Sequence, residues 1–165
     1  MLLLAVFPIA MIFGALWDLT TMTIPNLLTV ALAAMFAVLV PFVGLSLQDI
    51  ALHVAAGVAM LLVGMTLFAF GWIGGGDAKF VAAIALWIGW YDLLGYLLIA
   101  SIFGGALTLL LLWFRTMPLP LFMHREWILR LHDRKTGIPY GVALAAAGLL
   151  IFDETIWFKI AAHAA

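Results

Sequence analysis

Two of the eight acidic residues stand apart from the rest. Asp18 follows an apolar run that ends at Trp17, and Asp77 follows three consecutive glycines and opens another apolar run. Ionisable groups at the edge of hydrocarbon are expensive to keep there, which makes them functional candidates. Two carboxyls brought together cannot both ionise easily, because like charges repel: one keeps a proton while the other stays charged. The charged one can activate a water, and the protonated one can polarise a carbonyl and then protonate a leaving amine. That chemistry is peptide hydrolysis by an aspartic dyad, titrating with apparent pKa values that belong to the pair. The plainer reading of Asp77 is the N-cap of the helix beginning at Ala78, a place Asp favours. The sequence permits Asp18 and Asp77 to meet without requiring it. The other six carboxylates (Asp49, Asp92, Glu126, Asp133, Asp153 and Glu154) read as solvated charges in turns, polar segments or helix ends.

The elements that must position this pair follow from composition. The 165 residues are 68% hydrophobic and only 9% charged, with mean hydropathy +1.28, against roughly 45–50% apolar and about 25% charged in soluble domains. Such a chain cannot cover itself with polar surface in water. A soluble enzyme, a disordered tail and a coiled coil are excluded, and an integral membrane protein remains. A net charge of −1 leaves no basic footprint for nucleic acid. The absence of cysteine excludes disulfides, Cys-ligated zinc, iron–sulfur clusters and a Cys nucleophile.

A spanning helix takes roughly 20 apolar residues. Six segments qualify: 2–17, 27–45, 51–71, 78–90, 93–114 and 138–157. The alternation of a membrane β-strand is absent. The expectation is therefore an all-α polytopic bundle of about six transmembrane helices. Residues 1–165 form one domain, with no soluble domain beside it. The first segment, without a basic start or a small-x-small site after it, is not read as a signal peptide. The fourth segment is short, with a break expected at Tyr91-Asp92. Pro25-Asn26 starts the second helix, Pro41 to Gln48 closes it, Pro118 and Pro120 end the fifth, and Gly137-Ile138-Pro139 opens the sixth.

Six spans put loops on alternating sides. Lys79, Arg115, Arg125, Arg130, Arg134 and Lys135 fall on one side and only Lys159 on the other. The positive-inside rule then puts the first set, together with Asp18 and Asp77, at the cytoplasmic face of the membrane, and both termini outside. Competing catalytic sets are missing: the chain has no GxSG with a helix-borne His and no HExxH. The four scattered histidines argue against a metal cluster, so no metal and no cofactor are expected.

At this point the motifs carry a resemblance. Gly74-Gly75-Gly76-Asp77-Ala78-Lys79 reads as GxGDxK, and Asp18 with Thr23-Ile24-Pro25-Asn26 as a D…IPN segment. Together they resemble type IV prepilin peptidases, the GxGD aspartic membrane proteases. The small size and Gly137-Ile138-Pro139-Tyr140-Gly141 resemble the CpaA/TadV branch, which serves Flp-type (Tad) pili. The resemblance implies that Asp18 and Asp77 are the catalytic pair. It also implies a prepilin substrate, cut at the cytoplasmic face of the bacterial inner membrane between a short basic leader and a hydrophobic helix. Long family members carry a cytoplasmic insertion with paired CxxC motifs linked to N-methylation; this chain has no cysteine and no room in 18–26, so cleavage without methylation and without zinc is implied. Archaeal-type preflagellin peptidases share the chemistry and stand as an alternative. A small proton-coupled transporter or channel subunit, and a structural subunit of a secretion complex, are readings from other classes.

Other residues carry two readings each. Lys79 either tunes the dyad electrostatically or snorkels at the interface. Asn26 either orients its loop or caps the second helix. Gly74 and Gly76 are backbone requirements of the motif, where a substrate chain can approach closely. Pro139 and Tyr140 either line the substrate site or mark a helix start with an interfacial aromatic. Gly57, Gly64 and Gly71, every seven residues, suit close helix packing. The seven Trp read mostly as interface anchors. Residues 121–136 suit a short basic interfacial helix against anionic lipid, or simply a basic loop.

Overall fold

The computed structural model describes residues 2–120 and 123–163; the chain ends and Leu121-Phe122, the start of the 121–136 segment, lie outside the described residues. Among these, every regular element is helical. The helices are α1 (Leu2–Thr21), α2 (Asn26–Val43), α3 (Leu47–Ala69), α4 (Gly75–Ile88), α5 (Trp90–Phe114), α6 (Glu126–His132), α7 (Tyr140–Ile151) and α8 (Ile156–His163), with a 3-10 turn at Phe152–Glu154. Three of them, α2, α3 and α5, are long and apolar enough to cross a membrane, and Ala5–Thr21 of α1 is a shorter apolar helix. Large apolar side chains stand exposed all around the bundle, among them Leu27, Val38, Phe42, Ile102 and Leu109. An apolar exterior on this scale marks a surface that meets lipid.

The centre of the bundle is α4. Its residues 80–85, with Trp87 and Ile88, are all buried, packed among α2, α3, α5 and α7. Helices this apolar on every side are interior elements. At 14 residues and about 1.5 Å per residue, α4 reaches roughly 21 Å, short of a hydrocarbon core of about 30 Å. Phe7, Phe36, Trp87 and Trp157 close one end, with Trp87 and Trp157 rings 4.8 Å apart. Trp87 Nε1 donates to the Leu32 carbonyl at 2.9 Å. Trp87 and Trp157 are therefore core residues, unlike the exposed Trp17, Trp72, Trp90 and Trp113.

Helix boundaries differ from the sequence reading in ways with local causes. The break between the fourth and fifth segments is Gly89, not Tyr91-Asp92, and residues 90–92 already belong to α5. Gly89 has φ +83°, and a Cβ there would meet the His53 ring at 2.8 Å. That ring is fixed by a 2.8 Å hydrogen bond between Nδ1 and the Leu86 carbonyl, so both conformation and space require glycine. The segment 138–157 is not one helix: α7 stops at Ile151, and the chain turns through Phe152–Glu154 before α8. The second helix does end within the Pro41 to Gln48 stretch: α2 runs through Pro41 to Val43 and stops at left-handed Gly44.

The glycines of α3 divide. Gly57 and Gly64 abut α4; a Cβ on Gly64 would lie 3.0 Å from both Cα and Cβ of Ala78. Gly71 has nothing within 4 Å but sits at φ +73° beyond the helix end. There Trp72 N–H reaches the Leu67 carbonyl and Gly71 N–H the Phe68 carbonyl, the paired bonds of a Schellman cap. Gly64→Leu is therefore expected to push α3 off α4 and destabilise the fold by about 1–3 kcal/mol. Thermal unfolding in detergent measures this, and a melting temperature equal to wild type would refute the tight packing of α3 on α4.

Candidate active site

Helix α1 runs a turn beyond Trp17, so Asp18 lies within the helix rather than after it. Met22, at φ +57°, turns the chain out of the helix while its N–H still bonds the Asp18 carbonyl at 2.8 Å. The left-handed conformation is strained for a side chain of this kind and is typical of functional segments. The Asp18 side chain is buried, with 4% of its surface exposed. Its Oδ2 accepts the backbone N–H of Gly141 at 2.8 Å. That donor sits in the first turn of α7, where helix N–H groups have no partner within the helix. A buried carboxylate needs such a donor, and α7 supplies it from 123 residues away.

Asp77 is the third residue of α4; Gly74, not Asp77, is its N-cap. The carboxylate of Asp77 lies back beside Gly74, on the side where an acid at this helix position sits in a capping box. A Cβ on Gly74 would lie 2.9 Å from Asp77 Oδ2, so the first glycine of the motif makes room for the carboxylate itself.

The two segments converge on one cavity of about 270 Å³ whose walls include Asp18, Asp77, Gly76, Met22 and Asn26. Two contacts fix the approach. A Cβ on Gly76 would meet Ile24 at 3.3 Å. Lys79 Nζ donates to Asn26 Oδ1 at 2.9 Å. Asn26 therefore does not cap α2: the N-cap is Pro25, without a side-chain bond, and the Asn26 amide joins the start of α2 to α4 instead. Pro25, at φ −64°, directs the chain from the cavity wall into α2. The arrangement can hold two carboxyls and a water around one carbonyl group.

Pro139 is fully buried as the N-cap of α7. Tyr140 is partly exposed and lines a second, larger cavity that also includes Asp77; its hydroxyl is 3.3 Å from Thr108 Oγ1. Two residues have a place at the site that the sequence reading did not give them. Gly141 entered that reading only as the end of the 137–141 segment, and a residue without a side chain carries no sign of a bond to Asp18. Arg115, counted among loop charges, is 7% exposed. It donates to the Leu131 carbonyl, Thr136 Oγ1 and the Gly137 carbonyl, strapping down the chain that leads into α7. The segment 121–136 does contain a short helix, α6, and Arg130 reaches the Thr20 carbonyl at the end of α1. Among the described residues no group of three or more His, Asp or Glu side chains is placed to hold a metal ion.

Residues 5–109 match the sequence model of the type IV leader peptidase family. The matched stretch contains Asp18, Asp77 and both motifs, and ends before Arg115 and Gly141. No curated protein and no solved structure matches the chain.

Proposed function

The chain belongs to the type IV leader peptidase family, and from that premise we propose that it is an aspartic endopeptidase that removes the leader of Flp-type (type IV) prepilins, in the manner of the CpaA/TadV branch. One observation carries the reading: Asp18 and Asp77, 59 positions apart in the sequence (77 − 18), line a single cavity. In the proposed step a water held between them attacks the carbonyl carbon of the scissile peptide. Asp18, the acceptor of the Gly141 N–H, takes the water's proton as the charged partner. Asp77 hydrogen-bonds the carbonyl oxygen and gives its proton to the amide nitrogen as the C–N bond breaks. The leader leaves with a new carboxyl group and the pilin with a new amine; Asp77 regains a proton from Asp18.

Orientation follows the charges. Contacts between α1, α2, α4, α5, α6 and α7 at the site bring Lys79, Arg115 and Arg130 to the same end of the bundle. The remaining bases of the 121–136 segment share that end by sequence. The reading is thus a six-span protein of the bacterial inner membrane with its site at the cytoplasmic face, where α4 and α7 are short, inner spans. Residues 22–25 join α1 directly to α2, in keeping with cleavage without N-methylation.

Co-expression with a Flp-type prepilin tests the proposal, with the pilin's size followed by gel. A shift to the mature size is the expected result. An unprocessed prepilin beside a well-expressed, membrane-inserted enzyme would sink the substrate assignment.

A further inference from the structure

A second cavity, of about 630 Å³, opens toward the lipid-facing surface. Its walls come from α3 and α5 and its floor from α4 and α7. Asp77 lines both this groove and the dyad cavity, so the groove runs into the site. The α5 wall includes the small residues Ala100, Ser101, Gly104 and Gly105, between Leu97 and Leu109. Small residues let another helix bring its backbone close, which is how membrane helices pack in the absence of a hydrophobic driving force. The wall's hydroxyls are already satisfied: Ser101 Oγ donates to the Leu97 carbonyl and Thr108 Oγ1 to the Gly104 carbonyl, both at 2.7 Å. Gly105 is exposed, and a Cβ added to it would meet nothing within 4 Å.

We propose that this groove seats the apolar helical segment that follows the scissile bond of the substrate, so that the bond itself is delivered to Asp77. The inference rests on the peptidase reading and adds to it the surface that selects the substrate. The occupant is identified by continuity and polarity. The groove ends on a catalytic carboxyl and offers an occupant apolar side chains and small backbone-proximal positions, which suit an apolar helix. A basic leader finds no counter-charge along it other than Asp77, and belongs on the far side of the dyad cavity, beside Asn26.

The chain has no cysteine, so cross-linking reads occupancy directly. Gly105→Cys is co-expressed with a prepilin carrying one cysteine at successive positions of its apolar segment, and the membranes are oxidised. Val38→Cys, on the exposed face of α2 away from the groove, serves as control. The expected result is disulfide formation at Gly105→Cys that recurs about every three to four positions of the segment, and none at Val38→Cys. Equal cross-linking at both sites, or none at Gly105→Cys, overturns the proposal and leaves lipid as the occupant. Cross-linking at Gly105→Cys without cleavage by the wild-type enzyme would uphold the groove and remove the peptidase reading instead. Kinetics give a second measure, comparing kcat/KM for whole prepilin with that for a leader peptide lacking the apolar segment. In Gly105→Leu this ratio is expected to fall by about tenfold or more; a ratio equal to wild type overturns the proposal.

Discussion

Replacing either Asp18 or Asp77 with alanine is expected to lower prepilin cleavage by roughly 10²–10⁴-fold, the range for loss of a positioned acid or base, and in a gel assay to abolish it. Each carboxyl has a separate task, one to accept the water's proton and one to supply the amine's. Neither can do both at once, so the single variants and the double variant should be about equally inactive, as for residues that act as one unit. Asp18→Asn and Asp77→Asn keep size and shape but can neither take up nor release a proton, and should be as inactive as the alanine variants. The measurement is the rate of leader release by purified, membrane-inserted enzyme, with insertion checked separately. Appreciable residual cleavage by any one of the four variants would end the dyad mechanism.

The second large effect is expected at a residue with no side chain. Gly141→Ala places a Cβ 2.7 Å from Asp18 Oδ2 and 2.8 Å from Ile24 Cδ1. The isoleucine methyl can turn away. The carboxylate cannot move without lengthening its 2.8 Å hydrogen bond to the Gly141 N–H. Alanine is also the better helix former, by up to about 1 kcal/mol, so the fold has little reason to fail. The expected outcome is a drop in kcat of about 10²-fold, the scale for a reacting group misplaced by about 1 Å, with thermal stability close to wild type. Gly137→Ala is the companion measurement, because a Cβ there meets nothing within 4 Å; its rate should stay near wild type. Equal rates for Gly141→Ala and wild type would show that α7 does not position Asp18.

The residues of the site were legible because they break a pattern. A carboxylate stands out in a chain this apolar, and a run of three glycines before one of them stands out further. The segments were legible for the same reason, since apolar stretches of spanning length have few other uses. Their ends were less so. Polarity placed the break after α4 at Tyr91-Asp92, yet the chain turns at Gly89, because the His53 ring from α3 occupies the space a side chain would need. The expected cap at Asn26 failed on similar grounds: Lys79, 53 residues away, takes its amide oxygen. Asp77 is not the cap of α4 either: Gly74 holds that place, and Asp77 is an acid within the first turn, its carboxylate beside Gly74.

By itself the sequence determined that this is a helical membrane protein and set two aspartates at helix ends apart from its other charges. Composition and charge are properties of residues, and they survive without coordinates. What holds the pair was decided only by the tertiary structure: the Gly141 N–H of α7 at Asp18, the space that Gly74 leaves beside Asp77, the Lys79–Asn26 bond between α4 and α2, and the groove that leads to Asp77. The physical reason is that the aspartates are held by a backbone N–H and by the space that glycines leave. Every residue but proline carries such an N–H, so it has no signature in sequence and gains a role only from where the fold places it.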